Sequence, residues 1–547
     1  MKTTSQSLFA ATQNNQASGL VWEGNLQDVS ADVEGMRDCL LRFNQPLYAV
    51  QEKGEMGLAN NGMPTPANNG LDNLIAWLPP VSVSRFGDPS FCKVYGVEAA
   101  YYAGAMANAI ASEQMVIALP QAGLMGSFGS GGLSLGRLQS AIEAIQSAVP
   151  DGGPYAFNLL HNPFEPRMEQ QTVDLYLKYG IRVVEAAAFV RLTPAIVQYR
   201  AAGLSRDPSG KINRANRVIA KISRREIAQL FLLPAPQKIL DDLVTEGRIT
   251  REQAELARQV PMADDITVEA DSGGHTDNQP LVSLLPSIIA QRDKLGRETR
   301  YEEPVRIGAA GGISTPQAAL AAFLMGAAFV VTGSVNQACV ESGASPATRD
   351  MLAQAAMADV TMAPSADMFE LGARVQVLKK GTLFAMRAQK LYDLYNAFKS
   401  IEEIPDKTRL ELEEKIFARP INQIWQETVS FFKERDPGQI AKAEENPKKK
   451  MALIFRWYLG LSSRWARDGV PDRRMDYQVW CGPSMGAFNE WTRGSYLENL
   501  DNRHVTDVAW QLLTGCAYQY RVQSLKMQGV NLPAELDAYY PMERYDR

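Results

Sequence analysis

Histidine and cysteine are scarce in this chain of 547 residues. Only three histidines occur, too few for a histidine-rich zinc site, and we expect no metal centre. The five cysteines are scattered without paired spacing, which indicates free thiols in a reducing compartment instead of a disulfide framework.

Long apolar runs and an excess of positive charge are also missing. No stretch reaches the roughly 18 apolar residues that suggest a membrane-spanning helix. The segment Met1–Gly19 lacks the apolar centre of a signal peptide. With 56 basic and 61 acidic residues the net charge is −5, which argues against a nucleic-acid partner. We therefore expect a cytoplasmic protein with no membrane span.

From about Ala99 onward, β-type runs alternate with amphipathic helical runs. Strands separated by helices indicate a parallel sheet. Eight strands, each followed by a helix, favour an α/β fold of the closed (β/α)8 TIM-barrel type, although an open doubly wound sheet also fits the pattern. The predicted strands are Ala99–Met106, Leu124–Gly129, Tyr155–Leu160, Ile181–Ala187, Arg217–Ile222, Asp265–Ala270, Val305–Ala309 and Phe329–Thr332. The predicted helices include Ala107–Leu119, Leu135–Ala148, Pro166–Tyr179, Pro280–Lys294 and Pro316–Met325.

The alternation divides the chain into three regions. Residues 1–97 are predicted to form a small mixed region, with a strand at Leu47–Val50 and a Gly/Asn-rich loop over Gly54–Gly70. Residues 98–380 form the barrel. An insertion at about 233–262 reads as a helical hairpin, either a lid over the active site or a surface excursion.

The third region, residues 381–547, is predicted to be a helical extension. Val479–Pro483 is expected to be a turn within it. The lysines of Pro447–Lys450 precede an apolar-aromatic helix, and they fit either a solvated charge run or a docking site for an acidic partner.

The strongest local motif is Val268–Asp277, at the C-terminal end of the sixth strand. Gly273 and Gly274 allow a tight turn and a close approach of the backbone to a flat ligand. His275 then projects from a strand-end loop, where barrel enzymes place catalytic groups. A structural histidine is the alternative, but position and the scarcity of histidines favour an acid/base role for His275.

Two glycine turns follow the seventh and eighth strands. Gly311 and Gly312 come before a helix that begins near Pro316, and Gly333 and Ser334 follow the eighth strand. Free N–H groups at such turns bind phosphate, and barrels often hold a phosphate between these two loops.

Other strand ends can surround a flat ring next to that phosphate. The segment Gly104-Ala105-Met106 can pass under a ring without a steric clash, and Asn158 offers an amide to its edge. Lys221 can place a positive charge near the electron-rich edge of a flavin. No G-x-G-x-x-G motif opens a Rossmann unit, so these residues predict one bound FMN and no tightly held dinucleotide.

Four segments carry a family resemblance: Tyr102–Asn108, Pro154–Leu160, Met262–His275 and Phe455–Leu461. They resemble the nitronate monooxygenase superfamily, and the whole chain is similar to the PfaD family, the stand-alone enoyl reductases of polyunsaturated fatty acid and polyketide synthases. The resemblance implies NADPH as hydride donor, enoyl thioesters on acyl carrier protein domains as substrates, and a homodimer. It implies His275 as the catalytic residue, facing the flavin, and it implies FMN contacts at Gly104, Asn158, Lys221, Gly311, Gly312, Gly333 and Ser334.

Three alternatives stay open. The first is a flavin oxidase of the nitronate monooxygenase type, which Asp271 and Ser272 weaken because that group tends to have small residues there. The second is a non-catalytic flavin-binding or acyl-binding component of a synthase. The third is a barrel of the inosine-phosphate dehydrogenase type, which needs a loop with a catalytic cysteine. Cys339 follows the eighth strand, which is the wrong place for that loop.

Overall fold

The structure, a computed structural model, describes residues 20–52, 54–66, 73–149, 152–161, 163 and 165–543. The prediction that residues 1–19 are not a signal peptide concerns residues outside these ranges. Within the described part, no helix is long and apolar enough to cross a membrane.

The N-terminal region is a small layer of antiparallel strands and two helices. The predicted strand Leu47–Val50 is confirmed, and it pairs with the strands on both sides of it. The predicted loop over Gly54–Gly70 is wrong for much of its length, because two strands run through it and Leu58 is fully buried in the core. The elements are β1 (Leu20–Glu23), α1 (Val33–Leu41), β2 (Leu47–Glu52), β3 (Glu55–Ala59), β4 (Met63–Pro66), β5 (Leu74–Leu78) and α2 (Pro89–Tyr95).

A closed barrel of eight parallel strands forms the centre of the molecule, as predicted. Several of its strands are buried at every residue, because helices cover their outer faces. In chain order the elements are β6 (Tyr101–Ala103), α3 (Glu113–Gln121), β7 (Met125–Phe128), α4 (Leu135–Ala148), β8 (Tyr155–Leu160), α5 (Pro166–Lys178), β9 (Val183–Ala187), α6 (Pro194–Ala202), β10 (Leu204–Arg206), β11 (Ile212–Arg214), β12 (Arg217–Ile222), α7 (Arg225–Leu232), α8 (Gln237–Thr245), α9 (Arg251–Ala257), β13 (Asp265–Glu269), β14 (Gly274–His275), α10 (Leu281–Thr299), β15 (Arg306–Ala310), α11 (Pro316–Leu324), β16 (Val330–Thr332) and α12 (Ser334–Gln337). The barrel consists of β6, β7, β8, β9, β12, β13, β15 and β16.

The first barrel helix begins later than the sequence predicts. The expected helix Ala107–Leu119 starts at Glu113, because Asn108 and Ala109 adopt positive φ angles of 59° and 57° that end any helical path. Ser112 then caps the helix by accepting a hydrogen bond from the N–H of Met115. The loop before the cap is thereby free to border the barrel mouth.

The insertion after the fifth barrel strand is the predicted helical hairpin, α8 and α9. The capping box at Thr250 and Gln253 is present, with both reciprocal hydrogen bonds. The hairpin packs against α6 at the side of the barrel, where Gln253 donates to the carbonyl of Ala202. It is a surface excursion and not a lid.

The C-terminal extension is mostly helical, as predicted, but a hairpin of two strands precedes it. The hairpin joins β14 in a three-stranded sheet that the sequence reading missed. The elements are α13 (Pro346–Ala353), β17 (Val360–Pro364), β18 (Arg374–Leu378), α14 (Phe384–Ala397), α15 (Asp406–Glu411), α16 (Ile421–Arg435), α17 (Gly438–Glu445), α18 (Pro447–Asp468), α19 (Ser484–Thr492) and α20 (Val505–Met527).

Two expectations about this extension need correction. Val479–Pro483 is not a turn, because Trp480 forms a β-bridge to Val377 of β18. The lysines at the start of α18 hold internal contacts: Lys448 donates to the carbonyl of Phe398 at 2.6 Å, and Lys449 pairs with Glu370 at 2.8 Å. Lys448 and Lys449 are therefore held by partners within the chain and are not a free solvated charge run, while the docking of an acidic partner stays a prediction.

Candidate active site

A cavity of about 1020 Å³ opens at the C-terminal ends of the barrel strands. This is the face where barrel enzymes have their active sites. All twelve residues that the sequence singled out line this one cavity, although they come from six separate places in the chain. They are Gly104, Ala105, Met106, Asn158, Lys221, Gly273, Gly274, His275, Gly311, Gly312, Gly333 and Ser334.

Bare backbone borders the cavity after the seventh and eighth strands. A side-chain carbon built on Gly312 or Gly333 would meet no atom within 4 Å, so the absent side chains leave open space. Gly311 differs, since a side chain there would meet the backbone of Ala270 at 2.7 Å. Gly311 and Gly312 both have φ +80°, so the backbone of the turn favours glycine at both positions, whereas Gly333 has no such constraint and its absent side chain leaves open space.

The helix expected behind the first of these turns does not reach the cavity. The lining ends at Ile313, and Thr315 caps α11 by accepting from the N–H of Ala318. Pro316 is packed so closely against α20 that a side chain on Gly515 would collide with it. The short helix α12, whose cap is Gly333, begins at the cavity instead.

Lys221 lies at the floor of the cavity between two carboxylates. Its Nζ is 3.5 Å from Glu185 Oε1 and 3.4 Å from Glu269 Oε1. Burial opposes the charge, but the two carboxylates outweigh it and hold the pKa of Lys221 above its usual value. The Lys221 ammonium therefore stays protonated at the cavity, held by the two carboxylates.

Glu185 also orders the backbone around that floor. The N–H of Ala105 donates to Glu185 Oε2 at 3.0 Å, and Asn158 Nδ2 donates to the Glu185 carbonyl at 3.0 Å. Sequence reasoning missed Glu185 and Glu269. Their signal is a charged residue within an apolar parallel strand, where a carboxylate persists only with a partner.

His275 opens to the cavity from β14, with 40% of its side chain exposed. Its Nε2 lies 3.1 Å from Ser365 Oγ and 3.1 Å from Asp367 Oδ1. Desolvation disfavours the protonated ring, but Asp367 more than compensates, and the pKa of His275 is raised. Against the effect of burial, His275 holds the pKa of Asp367 well below its usual range.

The two glycines before His275 serve the fold in different ways. Gly273 is required by a close contact, because a side chain there would meet Cys481 N at 2.8 Å. Gly273 also lines the cavity, so its role next to a ligand stays a prediction. Gly274 has φ +81° and lies beside the ring of Trp480. The extended segment at Trp480 therefore supports the histidine loop from outside.

The missed hairpin of β17 and β18 fixes the histidine loop. Gln376 Nε2 donates to Asp271 Oδ1 and to the Ser272 carbonyl, each at 2.8 Å. Asp271 and Ser272 thus have a structural role in holding this loop. The alternation of polar and apolar residues in Arg374–Leu378 is the signal that would have predicted the strand.

These features define a protein of the barrel-enzyme class, whose cavity at the C-terminal face is lined by backbone without side chains, a buried lysine and a half-exposed histidine. None of the described residues that line the cavity is a cysteine, so the inosine-phosphate dehydrogenase chemistry has no nucleophile here. In the described part of the chain, no group of three or more histidine, cysteine or acidic side chains is arranged to hold a metal ion.

Comparisons with known proteins narrow this class. Residues 22–80 match the family described as fatty acid synthase subunit PfaD, N-terminal domain. Residues 398–477 match the inserted helical domain of [acyl-carrier-protein] S-malonyltransferase. The enoyl reductase domain of MlnA, from the macrolactin biosynthesis cluster of Bacillus amyloliquefaciens, is 41% identical with a TM-score of 0.77, over 81% of this chain and 100% of that one.

Longer relatives agree with these matches. One of the subunits of the polyunsaturated fatty acid synthase of Thraustochytrium sp. is 47% identical over 94% of this chain, and PksE, a polyketide biosynthesis protein of Bacillus subtilis, is 47% identical over 81%. The chain spans 34% of the first relative and 58% of the second. It belongs to the PfaD family, the enoyl reductases of polyunsaturated fatty acid and polyketide synthases.

Proposed function

We propose that the chain is an FMN-dependent enoyl reductase that uses NADPH to reduce the 2,3 double bond of enoyl thioesters on acyl carrier protein. One observation carries the proposal: a single cavity brings together the bare turns at Gly312 and Gly333, the cation of Lys221 and the exposed ring of His275. The names of the relatives, which include an enoyl reductase domain and synthase components, support the substrate class.

The residues of the cavity fit FMN. The open space at Gly312 and Gly333 leaves backbone N–H groups accessible to a phosphate, as at many barrel phosphate sites. Lys221 would hold its positive charge toward the electron-rich ring edge. Gly104 lines the cavity with its main chain, and no side chain separates that backbone from a bound ligand. Bound FMN would supply the carrier of hydride between NADPH and the enoyl thioester.

The histidine supplies the second half of the reduction. Hydride addition at the β-carbon leaves an electron pair at the α-carbon, which must take up a proton. His275 is protonated over a wider pH range because of Asp367, and its ring faces the cavity, so it is our candidate general acid. Ser365 and Asp367 position the ring through Nε2.

An anaerobic titration tests the proposal. NADPH should bleach the flavin absorbance of the purified, FMN-loaded protein, and an enoyl thioester on carrier protein should restore it. A parallel titration with NADH shows which of the two nicotinamide cofactors reduces the flavin more efficiently. If the thioester leaves the flavin reduced, the substrate assignment fails, and if no flavin binds after reconstitution, the cofactor assignment fails.

The same titration separates the alternatives. A nitronate oxidase turns over its substrate without NADPH, whereas the proposed reductase requires it. A non-catalytic component would bind flavin or thioester and show no return of the absorbance.

Asp367→Asn should move the basic limb of the activity profile to lower pH. The reductase needs protonated His275, so activity is present below the histidine pKa and is lost as the pH rises through it. Asp367 raises the pKa of His275, so removing its charge lowers that pKa, and activity is then lost at a lower pH. The pH profile of kcat for the wild type and for the variant checks this, and an unmoved limb would show that another group donates the proton.

A further inference from the structure

A second cavity, about 440 Å³ in volume, lies beside the first. It lies between the barrel and the helices α16 and α18 of the extension. Its wall is mainly aliphatic and aromatic, with Leu133, Leu138, Leu159, Met168, Phe432 and Leu453 among the lining residues. Such a wall suits a hydrocarbon and offers little to a dinucleotide.

The two cavities meet at a shared boundary. Seven residues line both of them: Gly131, Gly132, Leu160, Ala366, Asp367, Gly460 and Arg464. Three of these seven residues have no side chain and a fourth has only a methyl group. Because Asp367 is the partner of His275, the boundary lies next to the proposed proton donor.

Gly460 is the most informative residue at this boundary. It lies inside α18, a helix of 22 residues, where a glycine costs about 1 kcal/mol relative to alanine. The glycines inside α19 and α20, Gly486 and Gly515, have close neighbours that leave no room for a side chain. A side-chain carbon on Gly460 would meet nothing within 4 Å. Packing does not require this glycine, and its effect is to leave the boundary open.

Charged groups around the second cavity mostly have partners. Arg435 pairs with Glu165 at 2.7 Å, and Trp457 Nε1 donates to Glu427 at 3.0 Å. Arg464, at the boundary, faces the ring of Phe431 at 5.9 Å. A hydrocarbon can therefore enter without stranding a carboxylate in the interior.

We infer that the second cavity receives the acyl chain of the enoyl thioester, and that Gly460 keeps the passage open. The chain would extend past Gly460 into the apolar cavity while its reacting double bond stays beside His275. This inference rests on the proposed function and adds a determinant of chain length. It assigns the extension a role in substrate selection.

A series of thioesters on one carrier tests the inference: crotonyl, hexenoyl, octenoyl and decenoyl. Each buried methylene contributes about 0.8 kcal/mol, so kcat/KM should rise about fourfold per methylene until the cavity is full. In Gly460→Leu the side chain occupies the passage. The ratio of kcat/KM for decenoyl to that for crotonyl should then fall by at least about tenfold, the discrimination that an apolar pocket can supply.

Two controls separate blockage from a change in the helix. Gly460→Ala puts a methyl group into the open space and should keep most of the wild-type ratio. Gly296→Leu makes the same large substitution inside α10, where a side chain also meets nothing within 4 Å. Gly296 lines neither of the two cavities, so the ratio of this variant should be that of the wild type.

The outcomes are distinguishable. A wild type that reduces none of the four thioesters overturns the proposed function. A wild type that reduces them all, with an unchanged ratio in Gly460→Leu, overturns only the chain-length inference. If Gly460→Leu loses its flavin, Phe432→Ala tests the inference in its place. This variant enlarges the second cavity, so the rise in kcat/KM should extend to longer acyl chains. No such extension would count against the inference.

Discussion

Replacing His275 with alanine should lower the turnover of enoyl thioester reduction by about 10²–10⁴-fold, the usual contribution of a general acid. The flavin should stay bound, because the glycine turns and Lys221 lie on other strands and are unchanged. The measurement is kcat at saturating NADPH and thioester, with the flavin content of each preparation determined from its absorbance.

His504→Ala is the matched control for this prediction. That histidine pairs with Glu341 at 2.9 Å, has 54% of its side chain exposed and does not line the cavity. Its loss should leave kcat within about twofold of the wild type, since surface ion pairs contribute little. A correctly folded, FMN-loaded His275→Ala enzyme with unchanged kcat would make water the proton donor.

Lys221→Met should lower the free energy of unfolding by about 3–5 kcal/mol at neutral pH, the usual result of removing one partner from a buried ion pair. The substitution keeps the length of the side chain but leaves Glu185, which is fully buried, and Glu269 without their shared cation. We also expect the variant to purify without flavin. Urea denaturation of the flavin-free wild type and variant measures the difference in stability.

Lys211→Met offers a close comparison. Lys211 also lies between two carboxylates, Glu302 at 3.4 Å and Glu303 at 2.9 Å, but all three side chains are at the surface. Water solvates the carboxylates that remain, so the expected loss is below about 1 kcal/mol. Equal losses at the two lysines would mean that the floor of the cavity is solvated and that burial does not set the stability there.

The loss in Lys221→Met should also depend on pH. In the variant, the folded state holds an uncompensated carboxylate in the interior and binds a proton more readily than the unfolded chain does. The stability deficit should therefore shrink as the pH falls. A deficit independent of pH would point to lost packing instead of lost charge.

The site is completed by parts of the chain that lie far from the barrel in sequence. Ser365, Asp367 and Gln376 position the histidine loop, and the segment at Trp480 packs behind it. The same extension encloses the second cavity. The barrel alone would thus lack both the partner of His275 and the proposed chain pocket.

The strands of the barrel and twelve of the residues that line its cavity could be predicted directly from the sequence. Apolar runs that alternate with amphipathic helices leave a parallel barrel as one of two arrangements, and the C-terminal ends of parallel strands meet at one face. Local chemistry then pointed to His275 and to the glycine turns. Each of these signals lies within a few residues of a strand end.

Other features depended on contacts between distant segments, which local patterns do not contain. Glu185 and Glu269 become partners of Lys221 only when three strands close side by side, and Asp367 meets His275 only through the pairing of β14 with β18. The sequence allows the lysines at the start of α18 to bind a partner, but in the fold Lys449 forms an ion pair with Glu370. Local sequence patterns were enough to predict the strand ends that carry His275, Lys221 and the glycine turns. The pKa shifts of His275 and Lys221, the residues that support them and the space beside Gly460 follow from neighbours that only folding brings together, so local patterns do not contain them.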